Sequence, residues 1–476
     1  MNTFRQSSAF HLMTIIMPSQ FVIIDHCIAI KRVDTLSRII VIIIGLTLRC
    51  CLKAQGYTLN DCIRKASATS SLAKTAAISA DIMELTLKSA GNAYIPSLSL
   101  SNQHNFSTGR VLDPTTYQFL SNRSVYDNSF SIGATLTLFS GFERYYSIQK
   151  AEYGLQSAIL EKEKIRNDLS LKVTALFLEL LLDKEAIAIC NSKLRMLEEQ
   201  EALIARKVEL KTLTPGDLLN VQADIANTRV DLVVAENALS IDKVSMCELL
   251  EIDNWQDFAI VAGDNIEMNT RCLWCEDDIV SSAFDLPQIK QKELAIETAK
   301  KEVKIASSSF WPTVALHVGY GSTYSSARTK QSGDAYSFSD QFRDNTSSYV
   351  ALSLSIPILS SISVSNTLKQ KQLAYTRAEY ELTQAKLSLD REVKQAIINA
   401  NTSYEKYVLL ATDVEKFKEA LRQTQEKYNA GAATYYDYQI SVEKLFQAET
   451  QLLQSKYEYF FRTKIIDFYT GDPIVG

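Results

Sequence analysis

The stretch Asn92-Ala-Tyr-Ile-Pro96-Ser-Leu98-Ser-Leu100 returns 216 residues later as Ser308-Ser-Phe-Trp-Pro312-Thr-Val314-Ala-Leu316. A second block, Phe130-Ser-Ile132-Gly-Ala134-Thr-Leu136-Thr-Leu138, returns as Val350-Ala-Leu352-Ser-Leu354-Ser-Ile356-Pro-Ile358 at an offset of 220. Further on, Thr214-Pro-Gly-Asp217 is answered by Thr434-Tyr-Tyr-Asp437, again at 220. Three collinear matches, with one shift of four residues between the first two, make the chain two copies of a unit of about 220 residues.

Each unit reads the same way. A helix comes first, over 70–92 and 288–309, and a Pro-marked strand follows from Ser97 or Thr313. A polar loop, 108–125 or 326–344, leads to a second strand, so the hairpins are expected over 97–138 and 313–358. Phe130, Ile132, Ala134, Leu136 and Leu138 alternate with small polar residues, which gives that strand one apolar face. The period then becomes helical. Leu169, Val173, Leu176, Leu180, Ile187, Cys190, Leu194 and Leu197 follow a coiled-coil step, with Asp183 and Glu201 as polar layers. In the second copy Leu382, Ala385, Leu389, Val393, Ala396 and Ala400 form the matching, smaller stripe. Long helices are expected over 142–210 and 361–428, turning at 211–217 and 431–437 into return helices over 218–250 and 438–468.

Proline usage agrees. Among 476 residues there are only 8 Pro and 15 Gly, with no Pro between Pro114 and Pro215 or between Pro357 and Pro473. Helices that long tolerate no interior proline. A compact α/β enzyme, with a Gly- or Pro-marked turn after every short element, does not fit.

The strands set a further condition. Segments of about ten residues with one apolar face are the signature of a membrane β-barrel. Tyr94, Phe106, Phe139, Phe142, Phe310, Trp311, Tyr320 and Tyr349 near the strand ends are candidates for interfacial girdles. Four strands cannot close a barrel, and open sheet edges are not tolerated in lipid, so the chain must oligomerise if those strands span a membrane. An ordinary soluble coiled coil would leave the strands unexplained.

The apolar run Ile39 to Leu48 follows Lys31, Arg32 and Arg38 and precedes Ala54-Gln55-Gly56, the layout of a secretory signal peptide. The alternatives are a short membrane anchor or a lipid attached at Cys50 or Cys51, where Arg49 suits such a site poorly. Loss of residues 1–56, with six basic and two acidic side chains, takes the formal charge from −5 to −9. An acidic exported chain does not suggest nucleic acid as partner. Cys272-Leu-Trp-Cys275 is a local disulfide or two incidental thiols rather than half a zinc site, because no second pair of ligands lies nearby. Outside the leader only His104 and His317 remain, both in expected strands, and no GxxxxGK[ST] loop occurs. No enzyme, cofactor or metal site is expected, and any energy must come from a partner.

From Tyr57-Thr-Leu59 to Phe468-Tyr-Thr-Gly471 the chain resembles TolC-type outer-membrane efflux proteins. The resemblance rests on the strand entries at Pro96 and Pro312, the duplication, and the turn motif Tyr428-Asn-Ala-Gly431…Asp437. It implies a mostly α protomer with membrane β-strands, four per chain, in the twelve-stranded barrel of a homotrimer. Long coiled-coil helices would then form a tunnel across the periplasm. The implied organisation is a leader over 1–56, a first repeat over 57–250, a connecting equatorial segment over 251–287, a second repeat over 288–471 and a tail over 472–476. The implied function is a passive exit duct of a tripartite efflux or type I secretion system. It would sit in the outer-membrane lipid and dock a periplasmic adaptor and an inner-membrane transporter. The alternative is a soluble periplasmic coiled-coil adaptor or scaffold.

The resemblance also puts gating at the helical tips. Asp217 and Tyr428 match residues that join neighbouring helices by a phenol-to-carboxylate hydrogen bond, and Asp437 matches a cation-binding ring. Lys211, Thr214, Gly431 and Thr434 lie in the turns that would meet the adaptor. Three departures stand out: the family's latching Arg is Ala433, its deeper Asp ring falls on Ile440, and Lys211 replaces the usual Gly. Asp217 and Asp437 equally suit the first turns of the returning helices as caps, and the two roles can coexist.

Overall fold

The computed structural model describes residues 56–113, 115–261, 274–330, 334–358 and 361–471. The leader, Cys272 and the tail 472–476 lie outside the described residues; Cys275 is an exposed free thiol. Apart from residues 257–259, the described residues from Tyr57 to Gly471 form one compact unit.

The two repeats are visible element by element. The first runs α1 (Leu59–Thr69), α2 (Ser71–Asn92), β1 (Ser97–Leu112), β2 (Phe119–Ser140), α3 (Glu143–Glu209) and α4 (Pro215–Leu250). The second runs α5 (Glu276–Ala283), α6 (Pro287–Ser308), β3 (Thr313–Ser325), α7 (Phe338–Asp344), β4 (Ser347–Ser355), α8 (Ser361–Asn429) and α9 (Tyr435–Thr470). The prolines sit at joints: Pro215 and Pro287 start helices, where a missing N–H costs nothing, and Pro96 and Pro312 immediately precede strands. The 67 residues of α3 and 69 of α8 each rise about 100 Å at 1.5 Å per residue. No described helix is long and apolar enough to cross a membrane.

The four strands form one antiparallel sheet in the order β1-β2-β3-β4. Its register lines up Leu98, Leu100, Ile132, Ala134, Leu136, Leu316, Val318, Val350, Leu352 and Leu354 on one face. The other face carries Ser99, Ser101, Ser131, Gly133, Thr135, His317, Gly319 and Ser353. The apolar face is uncovered: Leu98 is 72%, Leu352 68% and Val350 73% exposed. Tyr349 departs from the girdle expectation. It alternates out of phase with Val350, so it belongs to the polar face, and its ring lies over Gly319 where any β-carbon would collide.

The expected polar loop 108–125 is largely strand. β1 and β2 run on to a turn at 113–118 that buried Asp113 organises, accepting from the Thr115 amide and hydroxyl at 2.8 Å each. The second hairpin differs because α7 intervenes. Its buried Gln341 accepts from Ser325 N at 3.0 Å and donates to Ser325 O at 2.9 Å, so a side-chain amide stands in for the missing neighbouring strand at the end of β3.

Strand becomes helix at a crowded joint. Phe139 packs edge-on against Phe142 and Trp311, at 5.7 and 6.3 Å between ring centroids. Gly141 has φ +64°, and a β-carbon there would lie 2.6 Å from the Ser308 carbonyl oxygen and 2.7 Å from Trp311 Cβ. Just below, Glu302 of α6 is clamped by Lys150 of α3 at 2.6 Å and Lys371 of α8 at 2.8 Å, which ties three helices under the sheet.

Within the coiled coil, Leu169, Val173, Leu180 and Leu197 are buried as the stripe requires, and so are Leu389, Val393, Ala396 and Ala400. The polar layers are occupied differently. Glu201 accepts from Gln222 of α4 at 2.9 Å. Asp183 faces the carboxylate of Asp242 on α4; burial, then the carboxylates of Asp242 and Glu179, push its acid up to about 6.

Two outcomes follow from these geometries. Gly141→Ala combines a left-handed backbone with a backbone collision and is expected to destabilise by about 1–3 kcal/mol, read as a lower melting temperature of the assembled protein in detergent. Asp183 holds its proton more tightly folded than unfolded, so its contribution is fully present below the unfolded value and is lost as pH rises through about 6. Asp183→Asn should therefore raise the melting temperature at pH 8 and change it little at pH 4; equal effects at both would contradict this.

Candidate functional site

The tips are built twice from one design. In the first, the Lys211 amide donates to Val208 O at 2.9 Å and the Thr212 amide to Lys207 O at 2.9 Å, with Lys211 left-handed at φ +58°. In the second, the Gly431 amide donates to Tyr428 O at 3.0 Å and the Ala432 amide to Lys427 O at 2.8 Å, with Gly431 at φ +75°. Both are paired C-terminal closures that need a left-handed residue, free for Gly and mildly strained for Lys.

The returning helices begin with equally matched capping boxes. Thr214 donates to Asp217 Oδ2 from its hydroxyl at 2.7 Å and its amide at 2.9 Å, while the Asp217 amide donates back at 3.3 Å. Thr434 and Asp437 repeat this at 2.7, 3.0 and 3.2 Å. The hydrogen bonds from Thr434 hold the Asp437 carboxyl below its ordinary range. Asp437 remains exposed, and Ile440 lies half-buried one turn on.

Within this chain the phenol-to-carboxylate bond between Tyr428 and Asp217 is not formed among the described residues. Asp217 engages Oδ2 with Thr214, and Tyr428 is buried, 6% exposed. Tyr428 instead stacks on Tyr438 at 5.6 Å and meets Tyr435 edge-on at 6.3 Å, with the Lys207 ammonium 5.0 Å from its ring centre. Leu197, Ile204, Val221, Ile225, Val442 and Phe446 complete this cluster, and burial pushes all three phenols up. Ala433, in place of the family Arg, packs against the same cluster.

Sequence reasoning missed Asp224. It accepts from Tyr435 Oη at 3.0 Å and from Gln439 Nε2 at 2.6 Å, across from α9 to α4. Its one signal in the sequence is a carboxylate beside Val221, Ile225 and Thr228, all buried on α4. Its partners, more than 200 residues away, carry no local signature.

A sheet with a bare apolar face, joined to long helices that end in capped turns, defines a subunit of a membrane channel-tunnel. A profile of the outer membrane efflux protein family matches residues 65–250 and 285–460, taking in both repeats. The chain belongs to that family, with its strands in the outer membrane and its long helices in the periplasm. It is similar to the outer membrane protein TolC of Vibrio cholerae serotype O1, 22% identical over 330 residues, 66% of this chain and 70% of that one. It is also similar to the proteases secretion protein PrtF of Dickeya chrysanthemi, 21% identical over 374 residues and 77% of each chain. The crystal structure of the outer membrane protein VceC from Vibrio cholerae superposes with a TM-score of 0.73 at 16% identity, over 87% of this chain and 96% of that one.

Capping accounts for every hydrogen bond that Asp437 makes through its side chain, so Asp437→Ala is expected to weaken the start of α9 by about 1 kcal/mol, or about fivefold faster amide exchange over residues 435–438. Unchanged exchange there would show that the cap does not hold the tip turn.

Proposed function

We propose that three copies join their sheets edge to edge into one twelve-stranded barrel, and that the six long hairpins below it wall a closed-tipped tunnel. The observation that carries this reading is the combination of an uncovered apolar sheet face with two unpaired edges, β1 and β4. Lipid covers the apolar face; the small polar face lines the lumen. Substrate passes through and no bond is made or broken. An inner-membrane transporter supplies energy and chooses the cargo, and a periplasmic adaptor bridges the two by gripping turns that include Lys211, Thr214, Gly431 and Thr434. The family is named for efflux and one relative, PrtF, for protease secretion, so the class of cargo follows from the transporter that docks.

The constriction falls at Asp217, Tyr428, Asp437 and Ile440. Three exposed Asp437 carboxylates around one axis concentrate negative field where the tunnel is narrowest and favour cations. Ile440 adds an apolar collar one turn behind.

Fractionation tests the assembly: heat-sensitive trimers extracted from the outer membrane are expected, and a soluble periplasmic monomer would overturn it. In planar bilayers the wild-type channel is expected to be blocked from the tip side by multivalent cations. Asp437→Ala should abolish that block, and persistent block would move the cation site elsewhere.

A further inference from the structure

The tip turns close each hairpin on itself, and Asp217 and Asp437 are engaged in capping. Neither ties one hairpin to the other. That connection is made behind the first tip, where Asp224 lies seven residues, or about 10 Å of helix, beyond Asp217. Its Oδ2 accepts from Tyr435 Oη at 3.0 Å and its Oδ1 from Gln439 Nε2 at 2.6 Å. Tyr435 and Gln439 are four residues apart and so share one face of α9. Both carboxylate oxygens of one residue on the first hairpin are thus taken up by two residues of the second.

The setting gives these bonds weight. Tyr435 is 5% exposed inside the tyrosine cluster, so breaking its bond to Asp224 strands a buried hydroxyl. Burial pushes the Asp224 carboxyl up, and the Tyr435 and Gln439 hydrogen bonds pull the other way. The next polar link between the hairpins, Lys193 to Glu443 at 2.6 Å, ends on a carboxylate 63% exposed, where solvent screens it. The duplication does not repeat the arrangement: at the offset of 220 the counterparts of Asp224, Tyr435 and Gln439 are Lys444, Pro215 and Leu219. The arrangement therefore joins α4 to α9 within a protomer and cannot recur where the roles of the two repeats are exchanged.

We propose that Asp224, with Tyr435 and Gln439, is the clasp that holds the two helical hairpins of a protomer together in the closed tip, and that opening breaks it. This rests on the duct reading above and names the residues that regulate it.

Single-channel conductance of the purified protein in planar bilayers tests the clasp. Asp224→Ala should raise conductance several-fold over wild type, and Tyr435→Phe combined with Gln439→Leu should raise it equally. Adding Asp224→Ala to that pair should bring no further increase. As a second arm, Asp224→Cys with Gln439→Cys can be joined in the outer membrane by a short reducible bis-thiol reagent; export should be lost on cross-linking and restored by reductant. Wild-type conductance from a trimeric Asp224→Ala channel overturns the clasp and leaves the duct standing, as does full export with the cross-link formed. Should Asp224→Ala fail to assemble, the cross-linked pair decides. A wild-type protein that inserts no conducting channel overturns the duct, and the clasp with it.

Discussion

Backbone groups along the outer sides of β1 and β4 have no strand beside them among the described residues, and hydrocarbon offers no water to replace one. Every other feature of the fold answers to that constraint. A sheet of four strands with a bare apolar face is unstable in water and intolerable in lipid until its edges are paired. Pairing β4 of one chain with β1 of the next removes both edges at once. The chain is therefore one part of a closed object, and the helices that continue the strands are held in the same ring. The Glu302 clamp and the Gly141 joint transmit that order from sheet to helix, because they fix three helices directly beneath the strands.

The duplication makes the wall nearly symmetric, and the places where it breaks are informative. The two tip turns share closures and capping boxes, yet one uses Gly431 and the other a strained Lys211. The β1–β2 hairpin is long and closed by a tight turn, whereas β3 and β4 are short and α7 finishes the end of β3 through Gln341. The Asp224 contacts exist in only one of the two possible places. A wall built from two like halves needs such differences if one junction is to be held and another is to move.

Much of the fold was legible in the sequence because it depends on local period and on prolines. Alternation identified the apolar strand faces, the coiled-coil step identified the buried stripes, and Pro96, Pro215 and Pro312 marked joints that lie within a residue of an element start. The polar composition of 108–125 misled, since Ser121, Asn122 and Ser124 belong to a strand rather than a loop. Tyr349 misled for a related reason: proximity to a strand end does not decide the face, and its phase relative to Val350 does. At the tip, capping was readable from Thr-x-x-Asp, a four-residue pattern. Asp224 was not, because its partners lie on the other hairpin and are set by how the helices pack.

The central claim is that β4 of one chain pairs with β1 of a neighbour. Cysteine placed at Ser101 in β1 and scanned in turn along residues 347–355 of β4 tests it directly, by oxidation in the outer membrane and separation in denaturing detergent. The account predicts covalent ladders that stop at three chains, strongest at the positions that face Ser101 across the junction. Cross-links confined to single chains, or none along the whole of β4, would contradict it.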